Sequence, residues 1–301
     1  MYVAEYATMD RLASMQTFVF VAEAGSFTAV ADRSQVARSA VTRQIAGLEK
    51  HLGVKLINRS TRRLSLTAEG AAYLERCRVI LNMVDAAESG LAGESAELRG
   101  RIRIGLPLHF GLQELLPTLL DFAAEHPAVE LVMDIADRRS NLVEEGLDLS
   151  IRITARLEEA DVVRKLGACR LWTLASPQYL AQHGEPRHPE ELRHHGCLVY
   201  SNDPEGASWE FLDKSTPVRV PVRGRIVADN GVALCEAAAR GMGVTRQPDF
   251  IAGPYVKSGR LRPILRRFSG APLGIYAVLP GNRYVPQRVR GLIERLAAAL
   301  R

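Results

Sequence analysis

The 301-residue sequence lacks several things. No uninterrupted apolar stretch approaches the ~20 residues that a membrane-spanning helix requires, so no membrane partner is expected. The first residues, MYVAEYATMDRLASM, hold no basic segment followed by an apolar core, so they are not expected to be a secretory signal. Cys77, Cys169, Cys197 and Cys235 are far apart and form no CxxC pair. They read most simply as reduced thiols in a cytoplasmic protein. There is no Walker loop, no HExxH and no nucleophile with an evident base, so the chain is not expected to be an enzyme. GMG at 241–243 lacks the GxGxxG frame and reads as tight backbone packing. HPEELRHHGC, with His188, His194, His195 and Cys197, fits no compact zinc spacing. No metal or other cofactor is expected.

The most informative shortage is local. Between residues 33 and 63 stand Arg33, Arg38, Arg43, Lys50, Lys55, Arg59, Arg62 and Arg63, against Glu49 alone. That net +7 leaves −2 of the chain's +5 for everything else. A basic module on a near-neutral body is the electrostatic footprint of nucleic-acid binding. In QVARSAVTRQIAGLEKHLG, 35–53, Val41, Ile45, Leu48 and Leu52 fall within one narrow helical sector. The opposite sector carries Ser39, Thr42, Arg43, Ala46 and Lys50, with Glu49 nearer the flank.

Around this helix the pattern is helix, helix, turn, helix, then a basic hairpin. MDRLASMQTFVFVAEAGS has helical apolar spacing and stops at Gly25, Ser26 can cap a short helix from Phe27, and Gly53 ends the 35–53 helix. VKLINRSTRRLSLT alternates about a polar tip, which completes a winged helix-turn-helix. Residues 67–93 read as one long helix. Leu74, Cys77, Leu81, Val84 and Leu91 follow alternating spacings of 3 and 4, and Tyr73, Ile80 and Ala87 form a second stripe. Either a partner helix or the chain's own core could cover the first stripe. From 101 onward, RIRIGL, VELVMDI and DLSIRI alternate with helical runs, including a short helix at NLVEEGL, and imply a parallel sheet covered by helices. Residues 171–270 hold a second set of strands and helices. Return of GIYAVLP and the 286–300 helix to the first sheet would make two lobes with a cleft between them.

From MDRLASMQTF to LSLTAEG, the N-terminal stretch closely resembles the LysR-type transcriptional regulators. LPTLLDFAAEHPAVEL, LVEEGLDLSIRI, ASPQYLAQHGEPRHPEELRHHGCLVY and GMGV…PDFIA…GRLRPIL resemble segments of that family's effector-binding half. The resemblance runs in order over roughly residues 9–300. It implies an α/β protein: a winged helix-turn-helix at 9–67 (helix-turn-helix 27–46), a linker and dimerisation helix at 68–95, and an effector domain at 100–301. That domain is of the two-lobed, periplasmic-binding-protein-like (type II) class, with lobe I at 100–170 and 272–301 and lobe II at 171–271. Residues 1–8 read as an N-terminal extension.

The implied function is that of a sequence-specific bacterial regulator modulated by a small-molecule effector. Its implied partners are double-stranded promoter DNA, itself as homodimer or homotetramer, the effector, and RNA polymerase. Matching the family pattern places Arg38, Ser39, Thr42 and Arg43 at the groove-facing start of the recognition helix, with Lys50 further along that face. Arg59, Arg62 and Arg63 fall on the wing. Arg and Lys supply salt-dependent phosphate affinity, and Arg can read guanine bidentately. Leu74, Cys77, Leu81, Val84 and Leu91 become the pairing stripe. Effector candidates are Leu108, His109 and Phe110 after the first strand, Ser201 and Asn202 after LVY, and Asp229 and Asn230 at a helix start. Arg152 and Arg246 are cations for an anionic ligand. Two alternatives stay open: a two-lobed small-molecule-binding protein without regulatory DNA binding, and a redox-sensing regulator using its cysteines.

Three positions depart from the family pattern. Ser34 replaces a common Leu, which would cost about 2–5 kcal/mol if it left a core hole. Ala37 replaces the usual Ser or Thr N-cap, a loss of roughly 1 kcal/mol. Ile57 replaces a common Phe. A locally soft DNA-binding domain, tightened on binding, is the expectation.

Overall fold

The computed structural model describes residues 10–59, 64–91, 97–138, 142, 145–157, 162–202, 208–214, 216–280 and 285–300. The chain divides into two compact units, the second built from Glu97–Asn282 and Arg288–Arg301.

The N-terminal unit follows its apolar spacing. Helix α1 (Arg11–Ala24) starts at Asp10, whose carboxylate accepts from Ala13 N at 3.0 Å. Helix α2 (Phe27–Arg33) is capped by Ser26, whose hydroxyl accepts from Ala29 N. Helix α3 (Arg38–Leu52) has Ala37 at its N-cap with no side-chain bond. Gly25 and Gly53 end α1 and α3 at φ of 61° and 73°, left-handed positions where glycine carries no Cβ penalty. Strands β1 (Ile57–Arg59) and β2 (Leu64–Leu66) pair antiparallel as the wing's base. Phe18, Val21, Val30, Val41, Ile45, Leu48, Leu56 and Ile57 form the core. Helix α4 (Ala68–Leu91) begins where Thr67 accepts from Gly70 N at 2.9 Å and donates to Lys55 O at 2.7 Å, which ties it to the wing's entry.

Two of the family departures look different in the structure. Ser34 is exposed at the C-terminal end of α2, so no hole is left where a Leu is usual. Ile57 fills its site, buried to 3%.

The second unit holds two five-stranded sheets. Lobe I has β3 (Gly100–Leu106), β4 (Val129–Ile135), β5 (Leu149–Thr154), β6 (Val162–Cys169) and β14 (Leu273–Leu279), in the order β4-β3-β5-β14-β6. Strand β3 runs parallel to β4 and β5, but β14 pairs antiparallel with β5 and β6. The sheet is therefore mixed, where the sequence pattern alone implied a parallel one. The returning C-terminal strand enters the sheet against the direction of its neighbours. Alternation in RIRIGL buries Ile102 and Ile104 and turns Arg101 and Arg103 to the other face. The helices of this lobe are α5 (Leu108–Phe110), which runs through a π-turn (Gly111–Leu115) into α6 (Leu116–Glu125), and α10 (Gln287–Ala299). Of the expected NLVEEGL helix, residues 141, 143 and 144 fall outside the described residues, and Leu142, Glu145 and Gly146 are in turns.

Lobe II has β7 (Leu171–Ala175), β8 (Cys197–Tyr200), β11 (Ile226–Ala228), β12 (Val244–Pro248) and β13 (Arg262–Ile264), in the order β11-β8-β12-β7-β13. Helices α7 (Pro177–His183), α8 (Gly231–Ala239) and α9 (Asp249–Lys257) complete it, with a 3-10 helix at Pro189–His194. Leu174, Leu198, Leu234 and Ile251 pack on one face. On the other, Val199 and Val244 pack with Trp209, Phe211 and Val220 of a separate hairpin, β9 (Ser208–Asp213) and β10 (Thr216–Pro221). The chain crosses between lobes at Cys169–Leu171, where Arg170 and Asp249 exchange two bonds: Asp249 N to Arg170 O at 2.9 Å and Arg170 N to Asp249 Oδ2 at 3.2 Å.

Candidate DNA interface and effector cleft

On α3 the core sector is buried, while Arg38, Ser39, Arg43, Ala46 and Lys50 are exposed and Thr42 is half-buried. Arg38, Arg43 and Lys50 have no hydrogen-bond or ion-pair partner among the described residues. Glu49, read from the sequence as a flank residue, is 3% exposed. Its Oε1 accepts from Leu56 N at 3.0 Å and Ile57 N at 3.3 Å, and its Oε2 from Lys55 Nζ at 2.6 Å. Burial alone would raise its carboxyl; the Lys55 ammonium and the two backbone donors outweigh that and hold it below the ordinary value. The one acid of the basic module thus joins α3 to the wing and leaves the outward face free of negative charge. Arg59 lies on β1, its side chain outside the described set, as are Arg62 and Arg63.

The proposed pairing stripe of α4 is split. Leu74 and Cys77 belong to the core of the N-terminal unit, 9% and 0% exposed, and Leu81 packs against the same core. The physical reason is that α1 lies against this side of α4, fastened by Arg78, which bridges Glu23 at 2.9 Å and Glu75 at 2.7 Å. Leu74 and Cys77 are therefore intramolecular core residues and not a partner's contacts. Val84 is half-buried, and the side chain of Leu91 lies outside the described residues. Among its described residues, the large apolar side chains that α4 exposes are Ile80 (37%) and Met83 (55%), from the neighbouring sector.

In the second unit, several predicted effector residues meet, and a residue the sequence reading missed joins them. Asp137, just after β4, accepts from Leu108 N through Oδ1 at 2.9 Å. Its Oδ2 accepts from Asn230 Nδ2 at 3.3 Å, and its backbone carbonyl accepts from Asn202 Nδ2 at 2.9 Å. Leu108 and Asp137 are in lobe I; Asn202 and Asn230 are in lobe II. Asn230 also caps α8, its Oδ1 accepting from Val232 N and Ala233 N. Phe250, also missed, makes the apolar counterpart: His109 stacks on it at 6.2 Å between ring centroids, and Phe110 meets it edge-on at 5.0 Å. Phe250 lies one residue past the N-terminal end of α9, in the PDFIA segment, so its position in a matching segment was the available signal.

The other candidates are placed differently. Ser201 donates its N–H to Ala228 O and is exposed, as is Asp229. Arg152 is half-buried on β5 opposite Tyr276. Arg246 alternates with Thr245 and Gln247 on β12, so it faces the hairpin side, its guanidinium 5.0 Å from the centre of the Phe211 ring. Thr245 and Gln247 are buried on the α8 side and bonded to each other at 3.0 Å. A cavity of about 370 Å³ in lobe I is lined by Arg103, Val132, Asp134, Arg138, Glu145 and Leu147, with Arg138 bridging Glu145 and Asp134.

All four cysteines are free thiols in buried positions. Burial pushes Cys77 up to about 11, and Cys169, Cys197 and Cys235 up to about 12, far from the reactive thiolate. His188 accepts from Glu190 N at the start of the 3-10 helix, and His195 Nδ1 meets the buried Tyr179 hydroxyl at 3.2 Å. Among the described residues no three His, Cys, Asp or Glu side chains are grouped to hold a metal ion, and no helix is long and apolar enough to cross a membrane.

Comparison with known proteins agrees over both units. Residues 12–71 match the model for bacterial regulatory helix-turn-helix proteins of the lysR family, and residues 95–301 match the LysR substrate binding domain. A transcriptional repressor of Pseudomonas aeruginosa is 36% identical over 291 residues, covering 95% of this chain and 91% of that protein. CrgA, a LysR-type regulator from Neisseria meningitidis of known structure, is 31% identical, covers 94% of this chain and 98% of its own, and superposes with a TM-score of 0.57. The full-length Vibrio cholerae virulence activator AphB is 27% identical with a TM-score of 0.58, covering 95% and 98%.

Proposed function

The chain belongs to the lysR family of bacterial regulatory proteins, and from that membership we propose how its surfaces divide the work. It is a DNA-binding transcriptional regulator with an effector-binding half. In our reading Arg43 and Ser39 address base edges in the major groove, while Arg38, Thr42, Lys50 and the wing residues Arg59, Arg62 and Arg63 hold phosphates. The observation that carries this is the outward face of α3: three cations without a partner among the described residues, with the module's one acid buried beneath it.

Residues 9–67 act as the reading head and 68–95 as the linker. The exposed Ile80 and Met83 make α4 the face on which a second copy packs, which would place two recognition helices on half-sites about one helical turn, or a multiple, apart. The effector enters between the lobes of 100–301, beside Leu108, His109, Asn202 and Asn230. The protein works in the cytoplasm, where promoter DNA is, without catalysing a reaction, and its partners there include RNA polymerase. Thiol burial disfavours the redox alternative.

The test is capture of sheared genomic DNA from the source organism on purified full-length protein, followed by sequencing. A sharply enriched, imperfectly palindromic site whose affinity falls steeply with salt is expected. Salt-sensitive binding with no enriched sequence would overturn base reading by α3.

A further inference from the structure

The residues that an effector would be expected to engage are already engaged. Two neutral donors, Leu108 N–H from lobe I and Asn230 Nδ2 from lobe II, end on the Asp137 carboxylate, and Asn202 Nδ2 ends on the backbone carbonyl of the same residue. Among the described residues Asp137 has no cationic partner. Asn230 cannot turn its carbonyl to this residue, because that oxygen is committed to two N–H groups at the start of α8. Its amide nitrogen must donate, so the position facing it must accept. A carboxylate can accept from Leu108 and Asn230 at once through its two oxygens. An amide at 137 would bring a donor against a donor at one of them.

We propose that Asp137 is a tethered ligand: its carboxylate fills a two-lobe donor set whose free ligand is a small molecule bearing a carboxylate, and that molecule binds by displacing it. Two consequences follow from the donor set. The effector's acid is held by N–H donors rather than by Arg246, which is turned to Phe211. The Asp137 carboxylate joins the lobes through Asn230, so displacement breaks that link, while the Asn202 bond to the Asp137 backbone carbonyl stays. The His109–Phe250 stack beside it is then left to the rest of the effector. Asp137 thereby sets specificity: a neutral molecule cannot replace the charge it removes from the donors, and a cationic one meets two N–H groups.

This inference rests on the function proposed above, and chemical rescue read beside DNA selection separates the two. The variant is Asp137→Ala in the full-length chain, and the probe is acetate, with sodium chloride and methylammonium chloride at the same ionic strength as controls. The readout is hydrogen exchange of the Leu108 amide. In D137A that amide should exchange about tenfold faster or more. Acetate should restore its protection saturably, and the two controls should not. Wild type should need far more acetate for any change, because its own carboxylate competes. No acetate-specific protection in D137A would overturn the proposal. Should D137A fail to fold, Asn202→Ala loosens Asp137 while leaving the other two donors. Acetate should then perturb the Leu108 amide at lower concentration than in wild type, and an unchanged concentration dependence would overturn it. Failed rescue with site-selective DNA binding intact condemns the tethered ligand alone. Lost selection with rescue intact condemns the DNA-reading assignment alone.

Discussion

The two working surfaces treat their polar groups in opposite ways. On α3 the cations stand exposed with no partner among the described residues, and the neighbouring acid is removed into the interior. In the cleft the donors are bound across the lobes by a residue of the same chain. A surface for DNA can stay open because water and counterions satisfy it until phosphates replace them. The Leu108 N–H and Asn230 Nδ2 donors are half-buried, with less access to water than the α3 cations, and unmade bonds there are expensive, so the fold supplies a stand-in. The DNA face is therefore built by exclusion and the cleft by self-occupation.

The strongest way to break this contrast is at Glu49. Glu49→Ala removes one ion-pair partner and leaves the buried N–H groups of Leu56 and Ile57 without an acceptor. A loss of about 3 kcal/mol from the N-terminal unit is expected, since each such buried donor costs roughly 1–3 kcal/mol. Denaturant unfolding followed by a probe in each unit checks it; the effector unit should melt unchanged. The pH dependence has a definite sign. The folded carboxyl lies below its ordinary value, so its contribution is complete above the unfolded carboxylate range, about 4.3. It disappears as pH falls through the lower, folded value. Glu49→Gln should flatten that acid limb. Equal acid sensitivity in wild type and variant would mean that another carboxylate governs it.

The next effect sharpens the open surface. Arg43→Ala should lower discrimination between the selected site and random DNA by about 1–3 kcal/mol, as for loss of a bidentate base contact. Lys50→Ala should weaken both DNAs alike and reduce the salt slope by roughly 0.9. Paired salt titrations on both DNAs measure both quantities. Identical behaviour of the two variants would reduce Arg43 to a phosphate contact.

The DNA face was legible in the sequence because it is local. Helical periodicity over 35–53 separates Val41, Ile45 and Leu48 from Ser39, Arg43 and Lys50 without knowledge of anything else in the chain. Glu49 was misplaced because its burial depends on residues 55–57 folding back beneath α3. The α4 stripe was ambiguous for a related reason: Leu74 and Cys77 have the same spacing whether α1 or a second chain covers them. Asp137 was invisible, as its partners are 29, 65 and 93 residues away. No periodicity spans such separations; only the pairing of β4 with β3 and the return of β8 and β11 bring those residues together. Arg246 was misassigned by one step of strand alternation, which turns it to the hairpin rather than to the α8 side.

The smallest expected effect is the one on which sequence and structure differ most directly. If Ser34 occupied the core site that Leu commonly fills, Ser34→Leu would refill a hole and return about 2–5 kcal/mol. In the structure Ser34 is exposed at the end of α2, and its backbone N–H, bonded to Val30 O at 2.9 Å, makes the cap with no help from the side chain. Neighbouring Gln35 takes a left-handed φ of 52°, which turns the chain away from α2 before α3 begins. A leucine here would gain no enclosure, so Ser34→Leu should change stability by less than about 0.5 kcal/mol, as for surface positions generally. Urea unfolding of the full chain, read by a probe in the N-terminal unit, decides the matter. A gain above about 2 kcal/mol would mean that the turn repacks to bury residue 34. The expected softness of this domain would then trace to Ser34, and a small change leaves it to the uncapped Ala37.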